Sequence, residues 1–279
     1  ILHFKTEIEM TLLLARTKLT PRQAEIFSYC ESYFFAHENP GLAYKNSRYN
    51  LEGYDAFGLA EYQIKELRNH ILTIFQPSIT ELAELAYPFF ATGKYEFGTL
   101  AIFLLKKHRP RFNRRVYEEI KLCLDEVVEN WTHSDLIATK ITPVLLELEI
   151  ASMEDFATWL DSESKWTRRV AVVTMLYQKE RLPVQELLDF ISPLMQDQAR
   201  CVQQGIGWLL RELSELYPQE REEFLTQYRD SAATMLIQYA TGKNYKEKKN
   251  NFHKPYVKKG YQSHPNYHKK KRYKETDAE

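Results

Sequence analysis

The chain has little glycine, little cysteine and no long apolar run, and each shortage removes a class of protein. Nine glycines in 279 residues are too few for a turn-rich β architecture, and abundant Leu, Glu, Lys and Ala favour helix instead. The three cysteines, Cys30, Cys123 and Cys201, lie far apart with no CxxC pair, which argues against both a disulfide framework and a zinc site. A reducing cytosol is the expected compartment, with nucleoid association in a bacterium. There is no apolar run of about 18 residues and no charged-then-apolar leader at the start, so no membrane partner is expected. Period-two alternation, the mark of a half-buried strand, is also missing, which leaves an all-α chain.

Net charge is zero, but it is unevenly spread. From Lys243 onward there are 12 Lys and Arg beside 4 acids, which leaves a body of 26 basic and 34 acidic residues. Residues 1–242 are therefore expected to form a mildly acidic helical domain. Residues 243–279 contain just one of Val, Ile, Leu or Met, namely Val257, and are expected to be a disordered basic Lys/Tyr-rich tail. Its reading is either a solubilising extension or an arm for nucleic acid, with Tyr245, Tyr256, Tyr261, Tyr267 and Tyr273 available to stack on unpaired bases. The tail histidines His253, His264 and His268 have no metal-ligand spacing, and no metal or other cofactor is expected.

Within the body, an apolar helix is expected near residues 3–17. Thr20 and Pro21 read as N-cap and N1 of a second helix through about Ala36, with Ile26, Phe27, Tyr33 and Phe34 toward its buried side. Residues 39–58 hold most of the local turn chemistry, with Tyr49 and Tyr54, and read as a functional or connecting loop. Amphipathic helices then follow near 60–75, 79–91, 95–108, 113–130, 133–149, 153–161, 165–179, 184–196, 198–216, 218–228 and 230–241. Pairs of them occupy about 35 to 45 residues, and Trp131, Trp166 and Trp208 are spaced by 35 and 42. Such periods fit a HEAT-like helical-repeat solenoid in which one helix of each pair lines a concave face.

The stretch from Asn130 to Glu212 carries the candidate chemistry. Trp131, Trp166 and Trp208 fall on successive helical segments together with Asp135, Arg168, Arg169 and Arg211. Each has an ordinary explanation: Thr132-x-x-Asp135 resembles a capping box, Trp159 and Trp208 sit in apolar segments, and an Arg pair commonly decorates a solvated face. A carboxylate at a helix start is nevertheless a fixed negative group, favoured there by the helix dipole. Arg168 and Arg169 point about 100° apart, so only one faces a shared site squarely, and Arg169 is preferred.

These blocks also carry a resemblance. WTHSD, WTRRVAVV and DQARCVQQGIGWLLRELSELYPQE resemble three successive blocks of the DNA alkylation repair (AlkD-like) HEAT-repeat glycosylases. KYEFGTLAIFLL is similar to the block around that family's glutamate, and YNLEGYDAFG matches its tyrosine-to-glycine spacing. The likeness spans roughly residues 20 to 230, and its order and spacing are more specific than any single motif. It implies a monofunctional glycosylase that removes cationic N3- and N7-alkylated purines from duplex DNA without a metal and without flipping the base into a pocket. By the same resemblance Asp135 is the catalytic aspartate, Trp131 and Trp208 are aromatic walls, Tyr49 is the lesion-side tyrosine and Arg169 contacts phosphate. The chain departs from the pattern at Thr132, where an acid is usual, and at Leu59, where proline usually follows the glycine.

Phosphate neutralisation dominates DNA affinity, and Arg168, Arg169, Arg211 and Lys140, with Arg114 and Arg115, are the cations expected on the DNA-binding face of a monomer. Two other readings stay open: a catalytically silent relative that binds distorted or branched DNA, and a HEAT scaffold for protein or RNA.

Overall fold

The computed structural model describes residues 19–49 and 53–242. The expected opening helix and basic tail lie outside them. Helix α1 (Pro21–Ala36) starts as the sequence predicts: the Thr20 hydroxyl accepts from the Gln23 N–H, and the Gln23 side chain accepts in return from the Thr20 N–H. Ile26, Phe27 and Phe34 are buried beneath it, while Tyr33 reaches outward to donate to Glu66.

The expected loop 39–58 is partly helical. Asn39 caps a short helix α2 (Pro40–Ser47) by accepting from the Leu42 N–H. Of the remainder, residues 48–49 and 53–60 are irregular, with an isolated parallel bridge between Asp55 and Lys94 and three backbone N–H groups, of Phe57, Gly58 and Leu59, on Glu96. Then follow α3 (Glu61–Ile74), α4 (Ile79–Ala91), α5 (Tyr95–Lys107) and α6 (Arg114–Glu126), with α7 (Trp131–Lys140), α8 (Thr142–Glu147), α9 (Met153–Ala157) and α10 (Lys165–Thr174) after them. The chain continues through α11 (Val184–Ile191), α12 (Arg200–Leu216), α13 (Pro218–Gln227) and α14 (Thr234–Thr241).

Two boundaries differ from the sequence reading for identifiable reasons. The helix expected over 133–149 begins at Trp131, because Asn130 is the N-cap and accepts from the His133 N–H at 2.8 Å. It breaks after Lys140 because Pro143 lacks an N–H and its ring crowds the preceding turn, so α8 starts afresh. Asp135 is consequently the fifth residue of α7, one turn past the cap, and the capping-box role for Thr132 and Asp135 falls away.

The helices form one continuous row, α3 on α5, α5 on α7, α7 on α10, α10 on α12 and α12 on α14. A second layer includes α4 against α6 and α11 against α13. This is an all-α helical-repeat architecture, and the tryptophan spacing marks α7, α10 and α12 as neighbours in the first row. Between the layers runs an apolar core that includes Trp159, whose indole N–H donates to the Tyr117 hydroxyl at 2.9 Å. Among the described residues, no helix is long and apolar enough to cross a membrane.

Glycine sets two of the closest approaches. At Gly58 φ is +87°, and a Cβ would lie 2.1 Å from the Asn39 carbonyl oxygen. At Gly207 a Cβ would lie 2.4 Å from the Tyr239 Cβ and 3.0 Å from the Leu236 carbonyl oxygen, so α14 can seat on α12 only because that side chain is missing. Gly207→Ala is expected to lower the unfolding free energy by about 1 to 3 kcal/mol through overpacking, measured by urea denaturation against the parent chain.

Candidate functional site

Helix α7 buries one side and opens the other. His133, Ser134, Ile137 and Ala138 face inward, while Trp131, Thr132, Asp135, Leu136, Thr139 and Lys140 remain partly accessible. The open residues form two neighbouring rows, Trp131, Asp135 and Thr139 in one and Thr132, Leu136 and Lys140 about 100° further round, so Trp131 and Asp135 stand one turn apart on the same side.

Asp135 is clamped. Its Oδ1 accepts from Arg169 Nε at 2.8 Å and its Oδ2 from Arg169 Nη2 at 3.0 Å. The third arm of the guanidinium, Nη1, donates to the Cys201 carbonyl at 2.5 Å. One arginine on α10 thereby ties α7 to α12. The Arg169 side chain is 7% exposed, whereas that of Asp135 is 21% exposed, so the cation is sealed in and its carboxylate partner still reaches solvent. Burial opposes the Arg169 charge, but the adjacent carboxylate more than offsets it and holds the guanidinium pKa above the ordinary arginine value. A carboxylate has about four lone-pair sites. Arg169 occupies two, which leaves acceptor capacity toward the open side.

The resemblance implies a phosphate contact for Arg169; in the structure three of its five N–H donors go to Asp135 and the Cys201 carbonyl. Arg168 points elsewhere, with Nε 2.6 Å from Asp197 Oδ2 and Nη1 on the Ser162 and Glu163 carbonyls. Trp166 is buried and lines no open surface. Trp208 is not the core residue that its apolar helix predicts: it is partly exposed, lies one to two turns beyond Cys201 and Gly205 on α12, and donates from its indole to Glu212 at 3.3 Å. Arg211 stands beside it, 3.7 Å from the same carboxylate. Arg114 and Arg115 lie on α6 in the second layer, paired respectively with Asp155 and with Glu84, Glu118 and Glu119.

Trp131 is set from two directions. Its indole N–H donates to the Tyr49 carbonyl at 3.1 Å, which brings the largely exposed Tyr49 to the head of the stripe. Beneath it, His133 anchors the helix start. The His133 ring stacks on Tyr95 at 4.9 Å, its Nδ1 lies 2.8 Å from the Asn130 side-chain nitrogen, and its Nε2 lies 3.0 Å from the Tyr95 carbonyl. The amide N–H donates to Nδ1, so Nε2 carries the proton and donates to the carbonyl.

Both sequence departures have a place in this scaffold. Thr132 is partly accessible in the first turn of α7, near the Tyr95 side chain. Leu59 donates its N–H to the buried Glu96 carboxylate, which also accepts from the Phe57 and Gly58 N–H groups at 2.9 and 2.8 Å. A proline at 59 would remove one of those donors.

The matched family model closes the case. Residues 31–243 fit the model described as DNA alkylation repair enzyme. The chain belongs to the DNA alkylation repair enzyme family. Membership assigns it to DNA alkylation repair, with DNA as the molecule acted on. A solved structure described as a predicted DNA alkylation repair enzyme from Enterococcus faecalis shares the fold, with 21% identity and a TM-score of 0.63 over 73% of this chain and 95% of that one. A second, the Streptococcus mutans UA159 protein smu.31, aligns with 22% identity and a TM-score of 0.48 over 65% of this chain and 91% of that one. No curated protein matches the chain.

Several residues of this alkylation repair protein escaped the sequence reading. Tyr177, 45% exposed, follows α10 with its hydroxyl near Thr139, which lies one turn beyond Asp135 on α7. Lys106 and Arg109 close α5, where Arg109 Nε donates to the Lys140 carbonyl at 3.0 Å. His133 also went unread, although its spacing from Asn130 is that of an N3 residue. Among the described residues, no group of three or more His, Cys, Asp or Glu side chains is placed to hold a metal ion.

Burial lowers the His133 pKa to about 4, opposed only in part by its bond to the Tyr95 carbonyl. The folded value lies below the unfolded one of about 6.5, so the unfolded chain takes up the proton first on acidification. His133 therefore contributes its full stability above about pH 6.5, and that contribution is lost as pH falls toward 4, by about 3 kcal/mol in all. Denaturation midpoints between pH 4 and 7 are expected to show this slope, and His133→Gln is expected to flatten it.

Proposed function

We propose that the chain is a monofunctional glycosylase that excises cationic N3- and N7-alkylated purines from duplex DNA. The observation that carries the reading is Asp135: a carboxylate held bidentately by a buried arginine, yet open on the stripe that also carries Trp131. Alkylation at N3 or N7 gives the purine a positive charge, so it departs neutral and needs little acid catalysis. The demanding species is the sugar, which becomes an oxocarbenium-like cation as the glycosidic bond lengthens.

A carboxylate already oriented beside that sugar stabilises the developing charge without reorganising, and its free lone pairs accept a hydrogen bond from the attacking water. Arg169 is the positioning residue, because it fixes both oxygens while leaving the outer side of the carboxylate uncovered. Trp131 and Trp208 supply ring faces that favour a cationic lesion and sugar over neutral ones, by about 0.5 to 2 kcal/mol for each well-placed ring. Tyr49, brought in by its carbonyl, lies on the lesion side. Neutral lesions with poor leaving groups are then poor substrates.

Asp135→Asn keeps one acceptor for Arg169 but removes the charge. Release of 7-methylguanine and 3-methyladenine from methylated duplex DNA is expected to fall on the order of 10²- to 10³-fold, with affinity for undamaged duplex nearly intact and the protein folded at the assay temperature. Trp131→Leu is expected to lower release roughly 2- to 30-fold. Duplex binding by the parent chain with no release of either base would instead favour a catalytically silent DNA-binding relative.

A further inference from the structure

We propose that Lys106, Arg109 and Lys140, backed by Lys65 and Arg68, form a phosphate-binding tract that holds the lesion-bearing strand on one side only of the reacting nucleotide. The inference rests on the DNA reading above and adds where the backbone runs.

These cations come from different elements that the fold brings together. Lys140 ends the open side of α7. Arg109, in the turn after α5, is fixed there by its bond to the Lys140 carbonyl. Lys106 lies three residues before Arg109 at the end of α5, and α3, which packs on α5, carries Lys65 and Arg68. In a body with more acids than bases, such a cluster repels itself unless acids intervene. Lys65 has Glu61 at 2.5 Å, but neither Lys106 nor Lys140 has an acidic partner among the described residues. The lysine pKa at 106 responds accordingly, lowered by burial and then by Lys140, Arg109, Lys65 and Arg68. Uncompensated cations gathered at one end of a functional stripe are a site for a polyanion.

The tract is one-sided. Toward α12, Lys179 and Arg211 share the one carboxylate of Glu212, at 3.3 and 3.7 Å, which leaves one cation in excess there against four in the tract, where five cations meet Glu61 alone. Lys165 and Arg200 stand at the opposite, N-terminal ends of α10 and α12. Lys140 is five residues beyond Asp135, about 7.5 Å along the helix and about 140° around it, so it stands to one side of the carboxylate. With successive nucleotides rising about 3.4 Å per strand, the tract is within reach of phosphates one or two nucleotides from the sugar at Asp135.

The test uses the full chain and duplexes with a central tetrahydrofuran abasic site, in which two phosphates on either the 5′ or the 3′ side of that site are replaced by neutral methylphosphonates. Affinity is expected to fall for one of the two duplexes only. In Lys106→Gln/Lys140→Gln that difference is expected to vanish, and the slope of log affinity against log salt to drop by about 1.8, from about 0.9 per lost phosphate contact. Equal effects of the two replacements, or an unchanged slope in the double variant, would overturn the tract. Should the parent chain release alkylpurines while either of those results is obtained, the tract alone fails. Absence of both duplex binding and base release would remove the glycosylase reading together with it.

Discussion

The site depends on one buried cation. Arg169 sits inside the row of helices, and a guanidinium there is tolerable only when its charge and donors are met. Asp135 from α7 and the Cys201 carbonyl from α12 meet them. The same contacts that satisfy the arginine therefore fix the carboxylate in place and join three consecutive row helices at one point. Removing Asp135 would leave the Arg169 charge buried and uncompensated, a change that typically costs about 3 to 5 kcal/mol, whereas Asp135 still reaches solvent. In the proposed reading, structural and chemical demands converge on this one ion pair.

Around that pair the scaffold removes freedom from the remaining groups. Glu96 gathers three backbone N–H groups of the segment that leads from α2 to α3. The Tyr49 carbonyl, at the start of that same irregular region, receives the Trp131 indole. A neutral buried His133 pins the start of α7 to α5, and Gly98 makes room for it, since a Cβ there would lie 2.5 Å from the imidazole. A rigid aromatic wall one turn from a rigid carboxylate is the arrangement that electrostatic stabilisation requires, because dipoles and charges that need not move lose nothing when the transition state forms.

Much of this was legible in the chain. Hydrophobic periodicity and the shortage of glycine gave the all-α repeat, Thr20-Pro21 gave a helix start, and the tryptophan spacing gave the order of the row. What stayed hidden depends on contacts distant in sequence. That Asp135 belongs to Arg169, 34 residues away, follows from how α7 meets α10, and no local pattern distinguishes Arg169 from Arg168 beyond their 100° separation. Trp166 and Trp208 look alike in sequence, yet Trp166 is buried whereas Trp208 packs against the core and stays partly accessible. The Lys106–Arg111 run, KKHRPR, was a visible basic signal. Its significance came only with Lys140 beside it.

The most direct test of the account compares two abasic-site mimics that differ in charge. Duplex DNA containing a cationic 1-aza-deoxyribose at the target position imitates the charged sugar, and the same duplex with neutral tetrahydrofuran does not. Asp135, held by Arg169, is predicted to make the parent chain bind the cationic duplex at least about 10²-fold more tightly, as transition-state mimics do, and Asp135→Asn is predicted to lose most of that preference. Equal affinity of the parent chain for the two duplexes, or a preference unchanged in Asp135→Asn, would contradict the role assigned to the carboxylate.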